Sequence, residues 1–352
     1  MKFSKLTFLA LSSALLCGTG CSTADDGKIK ITCTLYPEYE WINAVIDGVD
    51  GVAEPKLLIN SSIDFHSYQA SVDDIISVGS ADLFVYVGGE SDEWIKKVDI
   101  TNKDQKQICL LDVLGDDAKL EEEKEGMQED EHHHHHDDED EDHDHEEGED
   151  HDHEEGEDHD HEHEEGEDHD HEHEHEEEYD EHVWNSLINA QKFVKSIAEE
   201  LGKIDEDNKD KYLANANNYN KKLDDLHKEY VTKFASATHK TLVVADRFPF
   251  SYLFSDYGLD YYAAFKGCSA ESEASFETVI FLASKVNELG LTTILKTTGS
   301  DGKIANSVKD NTDSKNQKIS SLYSLETKTD KADWTYIDVM KANLDVLVEA
   351  SK

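Results

Sequence analysis

Of the 20 histidines in this 352-residue chain, most lie in one tract that is otherwise aspartate and glutamate. They are His132, His133, His134, His135, His136, His143, His145, His151, His153, His159, His161, His163, His169, His171, His173 and His175. The run at 132–136 is internal and merges into repeats close to HDHEEGED, so it is not an appended tag. Each HDH or HEH offers two imidazoles two positions apart, which a flexible chain can wrap around one ion. Imidazole suits zinc, copper or nickel, and carboxylates suit harder cations. Nothing preorganises such sites, so they are many, weak and exchangeable. A solvated spacer would explain the charge but not the histidine; the tract therefore reads as an accessory metal collector.

Four histidines lie elsewhere. His66 sits in "SSIDFHSYQASVDDI", a loop between an expected strand and helix, where α/β proteins place ligands at the carboxyl ends of strands. His182 sits in "YDEHVWNSLINAQKF", where the acidic tract gives way to a helix. His227 and His239 fall on or just after a long helical stretch and read as surface residues.

The elements that must position these side chains alternate. Strands are expected at 28–35, 55–60, 82–89 and 107–114, with helices at 38–49, 71–80 and 91–98 between them. Continuous apolar strands alternating with helices imply parallel sheet. The rhythm resumes after the tract, with strands at 241–246, 260–265, 292–298 and 318–325 and helices at 250–258, 275–290, 302–311 and 334–350. Between the blocks, Tyr212, Ala216, Tyr219, Leu223, Leu226, Tyr230 and Phe234 recur every three or four residues. That stripe predicts one helix of about thirty residues, roughly 45 Å long, able to bridge two domains. The expected fold is α/β: two lobes with parallel sheets joined by one long helix.

The N-terminus has Lys2 and Lys5, an apolar run from about Leu6 to Leu16 and then small residues before Cys21. This reads as an export signal. Its end resembles bacterial lipoprotein signals, with Gly18 where Leu is usual, which implies lipidation at Cys21. The expected organisation is 1–20 signal, 21–27 tether, 28–117 first lobe, 118–181 disordered insert, 182–238 second-ligand motif and linking helices, and 239–352 second lobe. The remaining cysteines are Cys33, Cys109 and Cys268, an odd number at spacings unlike a zinc cluster. Cys33 and Cys109 read as buried strand residues.

The formal net charge is −48, and nearly half of the acidic residues lie in the insert. Such a balance argues against nucleic acid and suits cations.

Several motifs, in order and covering nearly all of the chain outside the insert, resemble the extracytoplasmic metal-binding receptors of zinc and manganese ABC importers. "DFHSYQASVDDIISVGSADLFVYVGGESDEW" is similar to their first-ligand loop, helix and strand. The His-rich insert lies where zinc-binding members carry one. "DEHVWNSLINAQKFVKSIAEEL" is similar to their second-ligand motif, and "FSYLFSDYGLDYYAAFKGCSAESEASFETV" to their second lobe. The resemblance implies two lobes, a connecting helix and one metal in the cleft, with His66 and His182 as the first two ligands. The usual third ligand position holds Arg247, the only arginine in the chain. An arginine stays protonated and cannot ligate. Either the neighbouring Asp246 ligates, or Asp246 and Arg247 pair with each other or with other charges to fix the cleft. The usual fourth ligand, an Asp, has no clear match; Tyr323 stands near that position, and Glu326 is the candidate. Carboxylate, water or insert histidines would complete a two-His site.

The implied function is capture of Zn2+ and delivery to the membrane permease of an ABC importer by a monomeric, non-enzymatic receptor. Its location is the outer face of the bacterial cytoplasmic membrane, with the lipid anchor the expected membrane contact and no nucleic-acid partner. Histidine ligands and the insert favour zinc over manganese, and nickel and copper stay open. The rival readings are a surface metal buffer or adhesin without transport, and a zinc hydrolase. Against the last, the chain has no HExxH arrangement; it also has no P-loop.

Overall fold

In the computed structural model, the described residues are 27–60, 63–128, 178–269, 273–326 and 333–352. The expected signal, Cys21 and every insert histidine from His132 to His175 lie outside them.

The first lobe holds strands β1 (Ile31–Cys33), β2 (Lys56–Leu57), β3 (Leu83–Tyr86) and β4 (Lys106–Cys109), with helices α1 (Tyr36–Ile46), α2 (Val72–Ser80) and α3 (Leu110–Leu114). All pairings are parallel, in the order β2-β1-β3-β4. Ser71 caps α2 by accepting from the Asp74 backbone N–H, and Asp74 bonds back to the Ser71 N–H. That reciprocal pair satisfies donors a helix start leaves open. The fourth strand is shorter than the sequence predicts: it ends at Cys109 and α3 follows at once. Leu110, Leu111 and Leu114 are buried there at helical spacing, so the apolar run faces the core on one side of a turn.

Linking helices follow the insert. Helix α4 (Leu187–Ile204) buries Phe193, Val194, Ile197 and Leu201 along one face. Helix α5 (Lys209–Phe234) has 26 residues, about 39 Å at the usual rise, slightly shorter than expected. It spans the lobes as its length requires. Near its start Asn215 donates to Val45 O and Asp47 O of the first lobe, both at 2.9 Å. Near its end the Tyr230 hydroxyl donates to Met340 O of the second at 2.5 Å.

The second lobe holds β5 (Thr241–Phe248), α6 (Ser251–Asp256), β6 (Asp260–Lys266), α7 (Phe276–Leu289), β7 (Thr293–Thr297), α8 (Lys303–Asp310), β8 (Lys318–Leu322) and α9 (Tyr336–Ala350). Its sheet order, β6-β5-β7-β8, repeats that of the first lobe: the second strand outermost, beside the first. A bulge between Val244 and Arg247 interrupts β5.

Trp41, fully buried on α1, joins the lobes. Its ring lies 5.5 Å from Phe193 of α4 and 5.3 Å, edge-on, from Tyr336 of α9. Tyr336 donates to Trp184 O at 2.7 Å, and the Trp184 indole donates to Ser324 O at 2.7 Å. Aromatic side chains thus fill the seam while their polar tips find partners.

The insert is narrower than the bounds 118–181 read from sequence. Leu120 and Tyr179 form an antiparallel bridge at its root. Gln128 donates its backbone N–H to Ala264 O and accepts from Ser275 N. Met127 is buried, and Asp180 and Glu181 are almost fully so. Both edges of the tract therefore belong to the folded body.

Candidate metal centre

His66 follows β2, at the carboxyl end of the first sheet. It lies in a single 3-10 turn, Phe65–Ser67, that Asp64 opens by accepting from the His66 backbone N–H at 3.0 Å. Phe65 anchors the turn, buried edge-on against Trp184 at 5.7 Å. His182 leaves the insert root into the turn that starts α4. Asp180 fixes it doubly, accepting from its backbone N–H at 2.8 Å and facing its Nδ1 at 2.9 Å. Asp180 is itself bound by the Ser251 hydroxyl, and its backbone oxygen by the Tyr252 hydroxyl. The His182 side chain is fully buried, and that of His66 is 11% exposed.

The two rings meet. His66 Nε2 lies 3.1 Å from His182 Nε2, although the residues are 116 positions apart. Oxygen atoms hold the outer nitrogens of both rings. His66 Nδ1 lies 2.8 Å from Ser91 Oγ and 3.4 Å from Glu181 Oε2, and Ser91 in turn donates to Glu181. An imidazole whose Nδ1 proton faces such an acceptor presents its Nε2 lone pair, the tautomer a metal needs. The two Nε2 lone pairs then face one point, and a cation there satisfies both.

A third group reaches this point. His66, His182 and Cys268 each bring a ligand atom within 4.8 Å of the others. Cys268 follows β6 by two residues and is half-buried, a free thiol like Cys33 and Cys109. Gly267 admits it. A Cβ at Gly267 would stand 2.8 Å from His182 Cε1 and 3.0 Å from the Phe248 carbonyl oxygen, so only glycine lets the loop pass. The Cys268 backbone N–H donates to Glu121 Oε1 at 2.8 Å. Sequence reasoning missed Cys268, though a signal was present: it follows the expected strand 260–265, as His66 follows the expected strand 55–60.

The other expected residues divide. Glu326, just past β8 and buried, brings Oε1 to 3.9 Å from His182 Nε2. Asp246 is not brought to the group. Its Oδ1 accepts from the Arg247 N–H at 3.0 Å and its Oδ2 from the Thr297 N–H at 3.1 Å, so it braces β5 against β7. The bulge in β5 re-aims side chains at this point, which strand alternation alone does not show. Arg247 pairs across the cleft with Asp64 at 2.5 Å, the residue that caps the His66 turn. The charge-pairing alternative is therefore the one observed, with Asp64 as partner. Tyr323 packs beside Trp334, and its backbone exchanges two hydrogen bonds with Asn343. His227 faces the Tyr257 hydroxyl at 3.1 Å, away from the centre.

Charges tune the centre for a cation. Burial pulls the His182 imidazole down, but Asp180, with Glu326 and Glu181 behind it, outweighs burial and leaves its pKa raised. Burial also pushes Asp180 and Glu181 up, yet their bonds to His182 and Ser251, and to His66 and Ser91, hold both below the ordinary carboxylate range. Burial, and then the charges of Glu121, Glu181 and Asp180, push the Cys268 thiol up in the metal-free state. A bound cation reverses that ordering by deprotonating a coordinating thiol.

Two lobes of like topology, a helix spanning them and two imidazoles meeting at one point define a two-lobed metal-binding receptor. Residues 31–350 match the zinc-uptake complex component A, periplasmic, and the chain belongs to that family. It is 29% identical over 351 residues to the zinc-binding lipoprotein AdcA of Streptococcus pneumoniae, covering 99% of this chain and 61% of that one. The chain thus spans about three-fifths of the length of that relative. It is 28% identical to the high-affinity zinc uptake system protein ZnuA of Bacillus subtilis, over 99% of this chain and 98% of that one. Among solved structures, the Zn(II)-bound ZnuA-like domain of Streptococcus pneumoniae AdcA aligns with a TM-score of 0.64 at 25% identity, covering 92% and 99% of the two chains. The laminin-binding protein Lmb of Streptococcus agalactiae aligns with a TM-score of 0.66 at 23% identity, covering 92% and 100%, and shares the fold.

Proposed function

We propose that this chain captures zinc outside the cytoplasmic membrane and delivers it to the permease of an ABC importer. One observation carries the reading: His66 and His182 come from segments 116 positions apart, and their Nε2 atoms meet at 3.1 Å with both outer nitrogens held by oxygen. The names of the relatives, a zinc-binding lipoprotein and a zinc uptake protein, support zinc as the cargo. The chain acts as a receptor rather than a hydrolase, as a monomer held at the membrane by lipid on Cys21. The histidine tract collects ions close to the cleft, with an effective concentration set by its span. No helix among the described residues is long and apolar enough to cross a membrane.

The test is uptake of radioactive zinc at low external concentration by cells lacking the gene. Wild-type protein restores uptake, and the His66→Ala/His182→Ala protein, present at equal level, does not. Equal uptake with both proteins would refute the proposal.

A further inference from the structure

We propose that Cys268 is the third metal ligand, so that the cleft holds a borderline-soft divalent ion through two imidazoles and one thiolate, with Glu326 closing the shell. This rests on the reading of the cleft as the cargo site.

Three ligand atoms already converge on one point. Ideal zinc bonds of about 2.0 Å to nitrogen and 2.3 Å to sulfur place ligand atoms about 3.3–3.6 Å apart. The Nε2 atoms already stand at 3.1 Å, all three ligand atoms lie within 4.8 Å, and Glu326 Oε1 is 3.9 Å from His182 Nε2. An inward movement of the sulfur and of the Glu326 carboxylate on metal binding completes the shell.

The topology supplies an independent reason. Both sheets share one strand order, and His66 follows the outer second strand of the first as Cys268 follows that of the second. Each lobe thus offers its ligand from the same station. Arg247 leaves the second lobe's central strand without a ligand there, because its guanidinium is bound to Asp64 and Asp246 is tied to backbone N–H groups. Gly267 is the steric condition for Cys268 to reach His182.

As the ion binds, the metal–sulfur bond forms, the S–H bond breaks and the proton leaves to water. A thiolate favours zinc and cadmium over manganese, which prefers oxygen ligands. Selectivity therefore follows from one residue.

Cobalt(II) is the probe, because thiolate ligation gives a near-ultraviolet charge-transfer band that imidazole and carboxylate do not. The insert contains no cysteine, so the chain from residue 22 onward can be used with its histidine tract in place. The expected result is a band that saturates at one equivalent, is abolished by zinc, survives Cys33→Ala/Cys109→Ala and vanishes in Cys268→Ser. Zinc affinity falls by well over ~100-fold in Cys268→Ser, beyond the 10- to 100-fold typical of losing only an outer-shell partner, while manganese affinity changes little. Cys268→His, which folds around a three-imidazole site, regains zinc without the band. If one tight ion depends on His66 and His182 but gives no band, or if the band survives Cys268→Ser, the thiolate assignment is overturned and the cleft reading stands. Tight binding that ignores His66→Ala/His182→Ala overturns both.

Discussion

Replacing Gly267 by alanine adds one methyl group at the tightest point of the centre. The new Cβ would lie 2.8 Å from His182 Cε1, 3.0 Å from its Nδ1 and 3.0 Å from the Phe248 carbonyl oxygen. Ordinary carbon contacts are about 3.5–4.0 Å, so something must move by more than half an ångström. The imidazole is fully buried and tied to Asp180 at 2.9 Å, and the carbonyl belongs to β5, so neither yields cheaply. Overpacking of this kind costs about 1–3 kcal/mol. Because the ring that must move carries a ligand nitrogen, the same 1–3 kcal/mol appears as about 5- to 150-fold weaker zinc binding. Competition against a chromogenic zinc chelator, with the melting temperature of the metal-free protein alongside, measures both. Zinc affinity retained within twofold would show that the loop gives way instead of the imidazole, and would refute the rigid placement of His182.

Further outcomes follow from the groups behind the ligands. Asp180→Asn keeps the shape but removes the charge that orients His182, and zinc affinity should fall about 10- to 100-fold; an unchanged affinity in a chelator competition would remove Asp180 from the account. His182 must be neutral to bind, and its raised pKa means that protons compete from above the ordinary imidazole value near 6.5. In the metal-free chain the stabilisation from protonated His182 is full below its unfolded pKa and is lost as pH rises through the raised folded one. The zinc-induced rise in melting temperature should therefore shrink on acidification starting above pH 6.5, and in Asp180→Asn it should start lower; coincident profiles would contradict this. Burial, with a further push from Glu181, raises Asp92 to about 7, against hydrogen bonds from Gly88 and Val87. The folded state keeps a proton the unfolded chain has lost, so stability should decline as pH rises from about 4 to 7, by up to ~4 kcal/mol. Urea midpoints at several pH values should show that slope, and Asp92→Asn should flatten it; an equal slope in the variant would sink the assignment.

The architecture was legible because both α/β rhythms are local: apolar strands and capped amphipathic helices follow one another with short links. His66 and His182 stood out because few histidines lie outside the tract, and because each has a recognisable neighbourhood. The rest was hidden by three-dimensional effects. Asp246 was displaced by a bulge that spacing does not announce. Arg247 found its partner in Asp64, 183 positions away. Cys268 depends on Gly267 passing against His182, a contact between segments far apart in sequence. Asp180 and Glu181 looked like the last residues of a disordered acidic run, yet they are the buried carboxylates that aim the two imidazoles. The strand expected over 107–114 failed from Leu110 on, because a short apolar run has no periodicity that separates a strand from a turn of helix.

The most direct test of the central claim is zinc calorimetry on the chain lacking residues 129–177, with and without His66→Ala/His182→Ala. That deletion spares the folded edges at Gln128 and Glu178. The account predicts one tight zinc in the deleted chain and none in the double variant. Loss of all tight binding on deletion alone would contradict it, and would move the function from the cleft to the histidine tract.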